Sequence, residues 1–463
     1  MYWILIYLLP TSIAAMDQFE FVDLLLNNHQ FFAKERLGLA IKHLEKQGQY
    51  DRYNHWQVDF SAALSQLHKS KHKQDYTYYR DYPASTRQNR QKLALEAQKR
   101  FFSNGSTLTL SYGRSWPDKD EVLYDNQGYV KDVNTTEYLD SISLDWELPL
   151  LRNKAGVIEQ KTYDVSVLNY QEGVLMLEET QEAFIEDKLE QFLTVVNYQA
   201  QQQLMSRKLT ALNGCTPVST TDQSLLNRVL VKTRLKQSEI DYRLQAEQVL
   251  LQGLISDFAL DSVLVYNPMF VLIEDLDVYL QQHSRVLRRI RIEMQKNRRY
   301  RQSYRNQLQP ELDFHLQLTR DQNAGNYTTY RRASNRHYEA ELLFKQALGG
   351  DVDVQTSLSQ YQLRAAQIEL KYQHKFSELL AEARKLQTLI EQGEQQLVLY
   401  LAQLDPLQPF KGFECQGFND LGSAIDELEV IESLQADYLT QRHHLYQQQL
   451  AYDALIDRLL PKR

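Results

Sequence analysis

Residues 141–156 read SISLDWELPLLRNKAG, and two periodicities meet in them. Ile142, Leu144, Trp146 and Leu148 alternate with Ser141, Ser143, Asp145 and Glu147, which puts an apolar row on one face of a β-strand and a polar row on the other. Beyond Pro149 the alternation stops. From Ala155 to Asn213 the chain has no proline, and Ile185, Leu189, Phe192 and Val196 recur at helical spacing. A helix over that run would reach on the order of 90 Å. The turn Asn213-Gly214-Cys215-Thr216-Pro217-Val218-Ser219 then reverses the chain, with Thr220 or Thr221 placed to cap a return helix.

The same plan occurs twice. Leu26-Asn27-Asn28-His29 is echoed by Leu280-Gln281-Gln282-His283, and a helical stretch after each leads into an alternating run. Those runs are Trp56, Val58, Phe60, Ala62, Leu64 in the first copy and Leu312, Phe314, Leu316, Leu318 in the second. Tyr338, Ala340, Leu342 and Phe344 mirror the run at 142–148, and a second long hairpin follows, with Ile368, Tyr372, Phe376 and Leu379 on one helix face. The reading divides the chain into a signal peptide at 1–15, a first repeat at 16–255 and a second at 256–463. The first repeat holds strands at 54–67 and 138–148 and a helical hairpin at 155–255. The second holds a helix at 270–305, strands at 311–320 and 336–346, and a hairpin at 351–460. Spacing between the copies falls from 254 residues, Phe60 to Phe314, to 194, Gly156 to Gly350, so the first copy carries extra chain. That extra chain is assigned to 69–134, which opens on KSKHKQDYTYYRDYPASTRQNR and reads as an outward loop insertion. Within it, 93–102 and 106–116 form a hairpin candidate turned by Ser103-Asn104-Gly105.

Composition narrows the function. With 16 Gly and 10 Pro in 463 residues there are few turns, so the elements must be long. The 52 basic residues are outnumbered by 60 acidic ones and form no dense run, which argues against nucleic acid as a partner. Twenty-nine tyrosines suit a boundary between water and an apolar medium. MYWILIYLLPTSIAA reads as a secretory signal peptide; because no Lys or Arg precedes its apolar run, an upstream start or an amphipathic first helix are the alternatives. Nucleotide-binding, metalloprotease, nucleophile-elbow and CxxC motifs are all lacking, so neither enzyme activity nor a cofactor or metal site is indicated. His443 and His444 are adjacent on a helix and point apart.

Each alternating run is about ten residues, the length that crosses a bilayer as a tilted strand. A soluble sandwich would use the same pattern with its polar face in water. In lipid, four strands would leave two open edges, so several chains would have to close one barrel.

On these residues the chain resembles the TolC-like outer-membrane efflux proteins. LDWELPLLRNKAG at 144–156 resembles the family's strand running into its long helix, and ELLFKQALGGDVD at 341–353 is the second-copy counterpart. FVDLLLNNHQFF resembles the family's first helix, while VSTTDQSLLN and GSAIDELEV sit where the family turns its hairpins. The resemblance implies a mixed α+β membrane protein: a homotrimer in which four strands per protomer form a 12-stranded β-barrel and the hairpins form a periplasmic α-barrel. It implies a passive exit channel in the outer-membrane lipid, docked to a periplasmic adaptor (membrane fusion protein) and an inner-membrane pump or ABC transporter, serving efflux or type I secretion. Asp426 and Glu429, three apart and so on one helix face, match the family's acidic entrance ring, with Glu in place of the second Asp. Asp222 matches a family acidic position more loosely. Pro149, Leu150, Leu151, Arg152, Gly349 and Gly350 would form the strand-to-helix junctions. Cys215 and Cys415, one at each hairpin turn, would be either a disulfide or two free thiols. A secreted or periplasmic coiled-coil scaffold is the alternative function.

Overall fold

The computed structural model describes residues 15–70, 82–124, 130–254, 263–268, 271–325, 333–346, 351–404 and 420–460. Two compact units draw on both sequence copies: Met1–Ala40 with Glu172–Arg291 and Leu370–Arg463, and Ile41–Gln171 with Ile292–Glu369. The signal-peptide reading falls on 1–14, outside the described residues, and on Ala15, the first residue of strand β1 (Ala15–Asp17).

The first unit is helical apart from β1, which pairs in parallel with β6 (Val263–Val265). Asp17 caps helix α1 (Gln18–Asn28) by accepting from Phe19 N and Glu20 N. The repeated tetrapeptide marks a helix break in both copies. Helix α1 ends at Asn28 and α2 (Gln30–Asn54) starts after His29, while α5 (Leu276–His283) ends at His283 and α6 (Arg285–Gln307) starts after Ser284. In both, the backbone N–H of the breaking residue still donates to the carbonyl four residues back, Leu25 or Leu280, at 3.0 Å. The long helices are α3 (Val157–Asn213), α4 (Thr220–Leu254), α7 (Val352–Leu404) and α8 (Leu421–Leu455). Ile185, Leu189 and Phe192 of the expected α3 stripe are buried against Phe21 and Leu25 of α1, Leu244 and Leu251 of α4, and Leu450 of α8. Phe376 and Leu379 pack on a second core formed by Leu280, Ala383, Ile390 and Tyr452.

One buried guanidinium, at the start of α6, ties the interior of α3 to the chain that follows α8. Arg285 pairs with Glu182, with Glu178 at 3.2 Å and with Asp457 at 3.4 Å, and its backbone N–H also donates to Asp457 at 2.6 Å. Leu459 N donates to Glu182 at 2.9 Å. Burial pushes the Glu182 carboxyl above its ordinary range, Arg285 opposes that, and the nearby Asp457 adds to it.

The second unit carries an antiparallel sheet of strands β2 (Gln57–Ser70), β3 (Tyr82–Arg100), β4 (Thr107–Tyr124), β5 (Val130–Pro149), β7 (Glu311–Gly325) and β8 (Ala333–Lys345), paired in that order. The expected loop insertion at 69–134 is overturned. Its residues 82–124 include β3 and β4, which stand between β2 and β5, so the described residues contribute six strands to the sheet rather than four. The hairpin candidate is the turn-proximal half of this pair, because Leu93, Leu95 and Ala97 alternate as the other strands do and pair with Arg114, Tyr112 and Leu110. The turn forms where Ser103-Asn104-Gly105 placed it: Gly105 takes a φ of +70°, and Phe101 N donates to Ser106 O at 2.8 Å.

That turn seats on the exit of β5. Asn153, Ala155 and Gly156 all have positive φ, and the Asn153 side chain accepts from Ile158 N at 2.9 Å to start α3 and donates to Glu159 at 2.9 Å. Asn306 accepts from Asn153 N at 2.8 Å. A Cβ on Gly156 would overlap the carbonyl oxygen of Phe102, whereas one on Gly38 would meet nothing. Gly156→Ala is therefore expected to destabilise by roughly 1–3 kcal/mol, and Gly38→Ala in α2 to be neutral or to stabilise by up to about 1 kcal/mol. Thermal melts of the two variants check this; equal melting temperatures would refute the turn-on-junction contact.

Candidate functional site

At the end of the sheet nearest the β3–β4 turn, alternation carries across all six strands and gives two chemically distinct faces. Phe60, Leu95, Tyr112 and Ile142 stand in register on one face, continued by Leu144, Trp146, Phe314, Leu316, Leu342 and Phe344. On the other, Asp59, Glu96, Ser111, Ser143, Thr319 and His337 form one row from edge to edge. The apolar face is not covered: Phe60 is 70% exposed, Leu64 83% and Leu342 62%. Among the described residues strands β2 and β8 each have one neighbour, which leaves a row of backbone N–H and C=O groups open on each. Among the described residues no helix is long and apolar enough to cross a membrane.

The junction residues lie where β5 meets β7. Pro149 is opposite Asp313, and Leu150 N donates to Leu312 O at 2.7 Å. Arg152 reaches Glu311 at 3.7 Å, which Lys345 also approaches at 3.5 Å. Leu151 is exposed. Gly349 and Gly350 lie outside the described residues.

The acidic candidates gather around α4 and α8. Asp222 and Ser219 cap α4 reciprocally: Ser219 N donates to the Asp222 carboxylate at 3.0 Å, and Asp222 N to Ser219 Oγ at 3.1 Å. The cap is thus Ser219 rather than Thr220 or Thr221, because its partner three residues on is an acid that can return the bond. Asp426 is exposed on the face of α8 away from buried Ala424, Ile425 and Leu428. Glu429 holds Lys232 of α4 at 3.3 Å. One turn further, Glu432 accepts from Lys208 of α3 and from Lys236 of α4 at 2.6 Å. No short-range pattern signals these pairs, since the lysines lie some two hundred residues before the acids. Beneath them Leu212, Cys215, Leu226, Val229, Leu421 and Leu428 form a small core. Cys215 is disulfide-bonded; Cys415 lies outside the described residues.

The arrangement matches solved structures along almost the whole chain. A membrane protein from Pseudomonas aeruginosa aligns with a TM-score of 0.60 at 9% identity, covering 96% of this chain and 92% of its own. CusC, described as forming a transmembrane channel, aligns at 0.56 and 11% identity, over 95% and 91%. The CmeC outer membrane channel of Campylobacter jejuni aligns at 0.54 and 10%, over 96% and 87%. The fold is that of the TolC-like outer-membrane channels. No protein-family model and no curated protein sequence matches the chain, so this channel fold is carried by repeat order, strand alternation and hairpin length.

Glu432 generates a pH prediction. Burial raises its pKa, but hydrogen bonds and charge from Lys208 and Lys236 outweigh that and hold it below the ordinary 4.5. A lowered folded pKa means that its stabilisation is present above pH 4.5 and is lost as pH falls through the folded value. The Lys208 side chain is 4% exposed and that of Glu432 13%, and Lys236 still pairs with Glu432 when Lys208 is removed, so Lys208→Met should cost about 1.5–3 kcal/mol near neutral pH. Denaturant melts at pH 7 and below pH 4 check this, the gap between wild type and variant narrowing in acid.

Proposed function

We propose that the chain is one subunit of an outer-membrane duct that gives passive exit to substrates of an efflux system. The observation that carries the reading is the six-stranded sheet with an uncovered apolar face and two open edges, in a chain with the fold of outer-membrane channels. Such a face is stable against lipid, and such edges are not, unless neighbouring copies pair with them. Six strands are also fewer than the eight or so of the smallest closed barrels. We assign a homotrimer, in which three copies of six strands make eighteen instead of the expected twelve. Barrel diameter grows roughly linearly with strand number, so this pore would be about one and a half times as wide across its sheet. The hairpins would extend into the periplasm and meet an adaptor and an inner-membrane pump or ABC transporter, whose energy drives transport. Type I secretion would use the same duct. No chemistry of the duct requires catalysis.

Asp426 and Glu429 are assigned to the entrance. Three-fold symmetry would gather their carboxylates around an opening and favour cations. Lys232 offsets Glu429 within each subunit, so Asp426 is the less compensated charge. Cys215 is assigned a bond to Cys415, the other cysteine of the chain, tying the α3–α4 turn to the segment before α8.

Planar-bilayer recording of the detergent-extracted protein tests the duct. Discrete cation-selective steps are expected, with selectivity falling about twofold or more for Asp426→Asn plus Glu429→Gln and rising for Lys232→Gln. Unchanged selectivity would remove the entrance assignment; a protein that stays soluble without detergent and never inserts would replace the duct with a coiled-coil scaffold. For the disulfide, thiol alkylation without reductant should label neither cysteine, and Cys215→Ser should cost about 2–4 kcal/mol in a denaturant melt.

A further inference from the structure

Of the sheet's strand pairings, the one between β5 and β7 joins the first sequence copy to the second. On its polar face Glu147 of β5 stands directly opposite His315 of β7, and Asp313, two residues before His315, faces the same way opposite Pro149. One ligand atom from each of Glu147, Asp313 and His315 lies within 4.8 Å of the others.

Asp313 makes this more than a crowd of polar groups. It is 5% exposed, and the residue opposite it is a proline, which has no N–H to offer. The side chain that reaches its carboxyl is Glu311, a second acid, which is itself engaged by Arg152 and Lys345. A buried carboxylate set against other carboxylates is costly unless a cation joins it. Among the described residues neither Glu147 nor Asp313 forms an ion pair with His315, although one ligand atom of each lies within reach of a shared ion.

We propose that Glu147, Asp313 and His315 bind a divalent transition-metal ion that clasps β5 to β7. Two carboxylate oxygens and one imidazole nitrogen suit Zn²⁺ or Mn²⁺, whereas Mg²⁺ and Ca²⁺ prefer oxygen alone. A tetrahedral ion with bonds near 2.1 Å needs donors about 3.4 Å apart, so the side chains would close in by roughly an ångström. The fourth position falls to water or to Glu341, which the register sets opposite His315 on β8. The ion would neutralise the acids and pin the strand pairing that unites the two repeats. Sequence spacing shows no such site because its ligands come from two distant strands.

The test is direct binding to full-length, detergent-purified protein stripped with chelator, and it is independent of conductance. Titration calorimetry with Zn²⁺ should show about one ion per chain, with Zn²⁺ raising the melting temperature and Mg²⁺ failing to do so. His315→Gln and Asp313→Asn should weaken Zn²⁺ binding about tenfold or more and abolish the rise, while Glu429→Gln, remote in sequence, should leave both intact. Circular dichroism selects variants that keep the sheet; if Asp313→Asn does not, His315→Gln and Glu147→Gln decide. Absence of binding by the wild type, or equal binding by the folded variants, would overturn the proposal even if the protein conducts.

Discussion

A peptide group placed against hydrocarbon must have its N–H and C=O paired within protein, because no water is there to substitute. In the proposed duct that requirement would fall on the six-stranded sheet. Inner strands satisfy it through an unbroken antiparallel ladder, while β2 and β8 hand it on to whatever lies beside them. The proposed trimer is the solution in which each open edge meets a complementary one from an identical chain. In that trimer strand number per chain would set the circumference of the pore, and two strands beyond the expected four would widen it without changing the plan.

The added hairpin is held at its base as well as along its ladder. Its turn rests on the segment that converts β5 into α3, and that segment is itself built from three residues in the left-handed region. Only Gly156 adopts that conformation without a Cβ to accommodate; Asn153 offsets its cost by hydrogen bonds to the first turn of α3 and to Glu159. The inserted strands and the long helix therefore share one anchoring point.

Helix packing in the other unit follows a different rule. Apolar stripes supply most of the contact, but buried charges choose the alignment. Arg285 accepts carboxylates from α3 and from the chain after α8, and Lys208 with Lys236 clamps Glu432. A hydrophobic stripe tolerates sliding by a turn; a guanidinium among three acids does not, since misalignment leaves a charge unpaired. Glu429 and Asp222, expected with Asp426 as entrance charges from the family resemblance, are engaged locally by Lys232 and by the Ser219 cap, whereas Asp426 is exposed.

The alternating strands, the long helices and the Ser103-Asn104-Gly105 turn were legible in the sequence, because each is governed by neighbours within a few positions. The stretch at 69–134 misled for a physical reason. Strands β3 and β4 run 19 and 18 residues, well beyond the apolar band, and their far halves, rich in Arg, Gln, Asp and Lys, show none of the alternation that marks a strand half-buried in an apolar medium. What the sequence by itself determined is the order and type of the elements outside 69–134. How many strands enter the sheet, which lysine answers which acid, and that Glu147, Asp313 and His315 converge were decided by tertiary structure, since each depends on cross-strand register or helix alignment between residues far apart in the chain.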